Sequence, residues 1–382
     1  MSQLTHSLSN FWNRIQGTLF PFLEEELDPL TEKQQQFVAI LELIRIEEFI
    51  PSTYGNEGRP LKTRSSLARA FVAKIFYNMD TTTLLIERLK GDKNLRRICG
   101  WESLCILPSE STFSRAFAEF AEMMLPQRVH QALIQKTLEG EIILHNSRDS
   151  TAIEAREKPA KKPGVEKAGK EKNKKGRRKK GEEKPSVEPS RIERQRTMSL
   201  EEMIEDLPIN CDKGAKKDSH GNLMYWTGYK LHLDTIDGGI PVSAMITSAS
   251  VHDSQVAIPL ATLTSSRIVN CYDLMDAAYY VPDIIAHSQE LGHVPLIDKN
   301  PRRNKEMQLE KEEEAKARRT LNFHFPEEIR YNARSTAERT NARLKDEFGA
   351  RKVRVKGHLK VSCHLMLGVL VLAADQILKI VT

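Results

Sequence analysis

The chain has 382 residues, 40% apolar and 29% charged, enough to bury a sizeable core in two or three domains and too apolar for a disordered protein. Cys99, Cys105, Cys211, Cys271 and Cys363 form no C-x-x-C pair, which argues against a disulfide scaffold, a zinc ribbon or an iron–sulfur site and fits a reducing cytoplasm. Net charge is +6, but residues 158–184 hold 13 Lys or Arg against 4 Glu, so this segment carries +9, the rest of the chain −3, and a polyanion is its natural partner.

No basic stretch followed by an apolar run and a small-residue cleavage site opens the chain, which argues against secretion. Residues 1–138 read as helical. Phe37, Ile40, Leu41 and Ile44 recur at helical spacing, as do Leu67, Phe71 and Ile75, and then Phe113, Phe117, Phe120 and Met124. Pro108-Ser109-Glu110-Ser111 is a start signal for a helix near Thr112. These stripes are the core of a small α domain.

Near Gly140 the pattern changes. Ile142–His145 reads as a buried strand, and the polar run Asn146–Thr151 places Asp149 at its end. Residues 154–189 are rich in Lys, Gly, Pro and Glu, with too little apolar surface to offset ordering, so a disordered basic insert is expected. Tyr225–Thr235 alternates as a strand, and Asp237-Gly238-Gly239 turns it into Ile240–Thr247, a hairpin. A helix over Asp253–Leu263, a strand over Ile268–Met275, a helix over Val281–Leu291 and a strand over Val294–Ile297 follow. Lys305–Arg319 is an exposed helix or arm, and a long helix is expected from Pro326 to Phe348. Val361–Val381 is nearly long enough to span a bilayer, but His364, Asp375, Gln376 and Lys379 interrupt it, so it reads as a buried helix. Three consecutive strands followed by alternating helices and strands make an α/β mixed sheet. Two of its strands end in Asp and a later helix carries Glu, which can gather three carboxylates at one sheet edge.

The densest polar cluster is Tyr331–Lys345. At about 100° per residue, Arg334 lies about 60° from Tyr331, Glu338 about 20° and Lys345 about 40°, all to one side. By spacing alone this stripe is also what an exposed face with ion pairs looks like. The run Tyr331, Arg334, Glu338, Lys345 resembles the Y-R-E-K signature of bacterial insertion-sequence transposases with a DDE triad. Asp149-Ser150-Thr151 resembles the first-Asp motif of that family and Gly228–His232 its second strand. Asp276-Ala277-Ala278-Tyr279 resembles its second-Asp motif, and Ile297–Arg303 a later block.

The resemblance covers about residues 140–375 and implies a ribonuclease-H-like catalytic core over 139–382, behind a helical DNA-binding domain over 1–138. It implies a triad of Asp149, Asp276 and Glu338 that holds two Mg²⁺ ions, with Mn²⁺ as a possible substitute. Three carboxylates suit a hard cation that keeps positions open for phosphate. Tyr331, Arg334 and Lys345 would grip DNA phosphates. The implied partners are double-stranded DNA, as terminal inverted repeats and target, and a second copy on that DNA, with no membrane.

Asp273, three residues before Asp276, is the alternative second ligand. Glu154 and Asp253 are spare carboxylates with surface or capping roles. His232 and His252 read as structural, and Trp226 as core rather than a base-stacking wedge. A ribonuclease-H-like nuclease without strand transfer, and a non-catalytic DNA-binding protein derived from a transposase, remain the competing functions.

Overall fold

The computed structural model describes residues 2–51, 64–160, 189–217, 221–298, 305–321 and 326–381. The helical first part contains α1 (Ser2–Arg14), α2 (Phe20–Glu26), α3 (Glu32–Ile44), α4 (Arg64–Phe76), α5 (Thr82–Gly91), α6 (Lys93–Ile98), α7 (Glu110–Glu122) and α8 (Leu125–Thr137). Local chemistry sets these boundaries. The Thr31 hydroxyl accepts from the Gln34 amide while the Gln34 side chain accepts from the Thr31 amide, a reciprocal cap that starts α3. The apolar stripes turn inward as expected except at Met124, which is exposed in a left-handed turn between α7 and α8. Phe71 packs edge-on and tilted against Phe113, Phe117 and Phe120, with ring centroids 5.0 to 6.3 Å apart.

The sheet comprises β1 (Ile142–Glu154), β2 (Asp212–Lys217), β3 (Leu223–Ile236), β4 (Ile240–Ser248), β5 (Val269–Met275) and β6 (Val294–Ile297). β3 pairs antiparallel with β1, β2 and β4, whereas β1, β5 and β6 run parallel. The remaining helices are α9 (Arg191–Gln195), α10 (Leu200–Asp206), α11 (Ala257–Ser265), α12 (Pro282–Glu290), α13 (Lys305–Leu321), α14 (Pro326–Tyr331), α15 (Ser335–Asp346) and α16 (His358–Leu378). The expected α/β mixed sheet therefore forms, a ribonuclease-H-like core behind an α-rich region.

Several expectations change in detail. β1 does not stop at His145 but carries the whole polar run to Glu154, so Asp149 sits mid-strand. The polar residues stay in the strand because their neighbours satisfy them: Arg148 binds Asp234 across the β1–β3 pair, and Asn146 donates to Asp234 and Asp273. β2, α9 and α10 were not expected. β2, DKGAKK, has no apolar alternation and is a strand only because β3 supplies its hydrogen bonds. The long helix over 326–348 is interrupted by a tighter 3₁₀ turn at Asn332–Arg334. The basic insert lies outside the described residues over most of its length. Its first residues are tied down, because Glu154 ends β1, the Ala155 amide donates to the Thr227 carbonyl, and the Ala160 amide donates to the Cys211 carbonyl.

α16 is long and apolar enough to cross a membrane, yet it is almost wholly buried inside the protein. It packs on α3, α4, α7 and α8 and also on β4. One continuous apolar cluster consequently runs from Leu4 through the sheet to Leu378. The change from helix to strand near residue 138 is not a break in the core. The buried Asp375 on α16 accepts from Gln36 at 2.6 Å, Arg343 at 2.9 Å and Lys379 at 2.9 Å, which ties α3 and α15 to this central helix.

Among the described residues three imidazoles are buried and held neutral, His232 on β3 and two others where the helices pack. Burial holds His130 down to about 3 and His364 down to about 4, and their Nε2 atoms face the Pro241 and Gly349 carbonyls at 2.8 and 3.0 Å. Both rings gain a proton more readily when unfolded, so their contribution is complete above the unfolded value near 6.5 and falls as pH drops below it. At pH 5 each ring should cost about 2 kcal/mol. Urea midpoints at pH 7 and pH 5 measure this, and His364→Gln should remove part of the difference; an unchanged difference in that variant would clear His364.

Candidate active site

Strand register decides which carboxylates can meet. In the parallel β1–β5 pair, Ser147 lies opposite Leu274 and Asn146 opposite Asp273. Asp149 and Asp276 each lie two residues beyond the first pair, so both project to the same face. Asp273 alternates to the other face. There it is fully engaged, accepting from Ser288 at 2.6 Å, His293 at 3.0 Å, Asn270 at 3.1 Å and Asn146 at 3.3 Å. Burial opposes its charge, but His293 and Arg148 hold its carboxyl well below the usual range. It is a buried anion that stitches β5 to α12, with no lone pair turned toward Asp149.

α15 covers the face that carries Asp149 and Asp276. The Asn341 amide donates to Asp149 at 3.0 Å, and the Ser147 hydroxyl reaches the Ala333 carbonyl at 3.4 Å. Burial pushes the Asp149 carboxyl up from its ordinary value; the nearby Asp276 charge adds to this, while Asn341 and Lys216 oppose it. Asp276 also caps the short turn at Ala277–Tyr279, accepting from the Ala278 amide at 2.9 Å. The Tyr279 hydroxyl is buried and has no hydrogen-bond partner among the described residues. Burial raises its pKa well above the ordinary value, and the charges of Asp253, Asp149 and Asp276 raise it further while Arg148 opposes them.

The four residues of the expected stripe do not all gather. Tyr331 is half-buried; burial, then the charges of Asp298 and Asp276, raise its phenol pKa. Arg334 lies over the Tyr331 ring at 5.8 Å and pairs with Glu338 at 2.6 Å. Glu338 is exposed and turned to this arginine, although it sits one turn from Asn341 on the helix that covers Asp149. Lys345 is almost two turns further along and has different neighbours: burial lowers its pKa, with Arg351 and Lys216 adding to that and Glu154 opposing it.

Among the described residues no three His, Cys, Asp or Glu side chains converge tightly enough to hold a metal ion. The donor chemistry nonetheless fits one. Asp149 and Asp276 are an all-oxygen pair on one face of the sheet, the match for a hard divalent cation, and Glu338 lies one helical turn from Asn341, which holds Asp149.

The spare groups have structural partners. Lys230 binds Asp253 and the Val251 carbonyl, both at 2.8 Å. His232 meets the Thr247 hydroxyl at 2.9 Å, and His252 caps the turn at Ser254. Glu154 is exposed at the end of β1. Trp226 is partly exposed, and its indole N–H donates to the Tyr229 carbonyl at 3.1 Å. Asn341 and Lys216 are site neighbours that sequence reasoning did not single out, and Tyr279 entered it only as the last residue of the second-Asp motif. Asn341 was within reach, because it follows Glu338 by three on the same stripe; Lys216 was not, since nothing in its segment signals a strand.

A family model described as a transposase DDE domain matches residues 145–373, and one described as a transposase domain (DUF772) matches residues 23–119. No curated protein and no solved structure matches the chain.

Proposed function

The chain belongs to the family of transposases with a DDE domain, and from that premise we propose that it binds the ends of an insertion sequence and cuts and rejoins DNA there through Asp149, Asp276 and Glu338. The observation that carries this reading is the common face of Asp149 and Asp276 under α15, with Asn341 seated on Asp149. Mg²⁺, or Mn²⁺ in its place, would be held by Asp149 and Asp276 and by Glu338, and would supply Lewis-acid activation of the attacking hydroxyl and stabilisation of the leaving oxygen.

The protein's own groups do the positioning. Asn341 fixes the Asp149 carboxylate through its amide. Arg334 is the natural phosphate ligand beside the two aspartates, and a bound phosphate would draw it away from Glu338, releasing that carboxylate toward Asp149 and Asp276. Tyr331 stacks beneath Arg334 and keeps it oriented. Lys345, with Arg351, would bind phosphates further along the duplex. The helical region over 1–138 would recognise the terminal repeats, and two copies would bring two ends together.

Purified protein incubated with a plasmid carrying the DNA that flanks its gene tests the reading. The expected products are 3′-hydroxyl ends at one fixed position on each side and joined molecules, both requiring Mg²⁺. Scattered nicks without joined product would favour the nuclease reading. Specific binding with no cutting would favour the non-catalytic one.

A further inference from the structure

β2 and the first half of β3 form a two-stranded ribbon that extends past the sheet. Gly228 is the last β3 residue paired with β1, whereas Lys213↔Thr227, Gly214↔Trp226, Ala215↔Tyr225 and Lys216↔Met224 continue the β2–β3 pairing beyond it. The ribbon is stiffened at its base. A Cβ on Gly214 would lie 2.4 Å from the Trp226 ring, so the indole lies flat on the glycine, and its N–H holds the Tyr229 carbonyl. What this base supports is unusual for a soluble surface. Tyr225 is 71% exposed, Met224 62% and Leu223 55%, and they stand among the exposed Lys213 and Lys216.

The position is equally informative. The ribbon leaves the sheet where β1 ends: Glu154 pairs with Gly228, five residues along the strand from Asp149, and the Ala155 amide donates to the Thr227 carbonyl. A core face would not carry lysines, and a solvated edge would not carry three large apolar side chains. Cations interleaved with an exposed aromatic are the chemistry of nucleic-acid binding, with lysines on phosphates and a ring on a base. A two-stranded ribbon is also an element that a DNA groove accepts.

We propose that the β2–β3 ribbon is a DNA-contacting arm that binds the duplex next to the cut phosphodiester, with Lys213 and Lys216 on the backbone and Tyr225 stacked on a base unpaired there. The proposal rests on the DNA-cutting reading above and assigns that site a specific contact. Tyr225 acts by positioning the strand, not by touching the reacting phosphate.

The test uses the full chain, Ca²⁺ to permit binding without cutting, and two fluorescent probes: a random-sequence duplex and the same duplex with one unpaired fluorescent base analogue. Tyr225→Ala should weaken binding to the unpaired-base probe roughly tenfold or more, the size of one base–aromatic stack, and abolish the change in analogue fluorescence. Tyr225→Phe should retain both, since the ring and not the hydroxyl is used. Replacing Lys213 and Lys216 together by Ala should flatten the slope of log K against log[salt] by about 2 on both probes. Both substituted surfaces are exposed, so the variants should fold, which circular dichroism checks.

Wild-type binding matched by every ribbon variant would overturn the ribbon proposal and leave the DNA-cutting reading intact. Variants that change the sedimentation of the free protein but not DNA binding would make the ribbon a protein interface and overturn it too. A wild-type protein that binds neither probe would bring down both readings.

Discussion

Asp149→Ala, Asp276→Ala and Glu338→Ala should each reduce end cleavage by about a thousandfold or more, because each removes a carboxylate from a site where charge stabilisation is worth several kcal/mol. Affinity for the end duplex should hardly fall, since none of the three is placed as a phosphate contact. Glu338→Ala should even bind slightly tighter, because it frees Arg334 from its 2.6 Å ion pair. Asp273→Asn is the control. It leaves the face of Asp149 and Asp276 untouched and perturbs a buried network around Ser288 and His293, so it should lower the unfolding midpoint while folded protein still cuts. Quantified cleavage of a labelled duplex under single-turnover conditions separates these effects. Near-normal cutting by any of the three alanine variants removes that residue from the triad, and a dead but folded Asp273→Asn would reverse the assignment of the second aspartate.

Much of the sheet was legible because its strands obey simple alternation. The turn Asp237-Gly238-Gly239 does form the β3–β4 hairpin, and the strand over Val294–Ile297 falls where the apolar run put it. The fate of Asp273 was in principle legible too: residues three apart on a strand face opposite ways, so it could not share a face with Asp276. The extent of β1 was not legible, because a run as polar as Asn146–Thr151 is stable in a strand only when partners 86 to 127 residues away satisfy it. β2 failed for the same reason in reverse. Its own residues carry no strand signal, and only the register of β3 makes it one. At the site, helical spacing placed Tyr331, Arg334 and Glu338 on one side, but spacing carries no information about rotamers. Arg334 reaches Glu338 in the protein without DNA, and Lys345 is too far along the helix to join them.

The residue beside Asp149 is held by an ion pair buried more deeply than the other ion pairs among the described residues. Arg148 is 2% exposed and Asp234 is fully buried, and the guanidinium donates twice to the carboxylate, at 2.8 and 2.7 Å. Thr264 at 2.6 Å and Asn146 at 3.1 Å also donate to Asp234. The pair therefore pins β1 to β3 and α11 directly behind the strand position that presents Asp149. Asp234→Ala leaves a buried cation with no anion of its own and should cost about 3–5 kcal/mol. Arg148→Met leaves a carboxylate that still accepts hydrogen bonds from Thr264 and Asn146, so it should cost less. The double replacement Arg148→Met with Asp234→Leu removes both charges at similar volume and should recover most of the stability lost in Asp234→Ala, because two desolvation penalties vanish together. Urea unfolding of the wild type, Arg148→Met, Asp234→Leu and their double variant closes the cycle and gives the coupling energy. A loss below about 1 kcal/mol in Asp234→Ala would mean that Arg148 finds water or another anion, and its role as an anchor would fall. If the double variant regains stability but still cuts DNA poorly, then the ion pair is kept for the orientation of β1 at Asp149 rather than for holding the fold together.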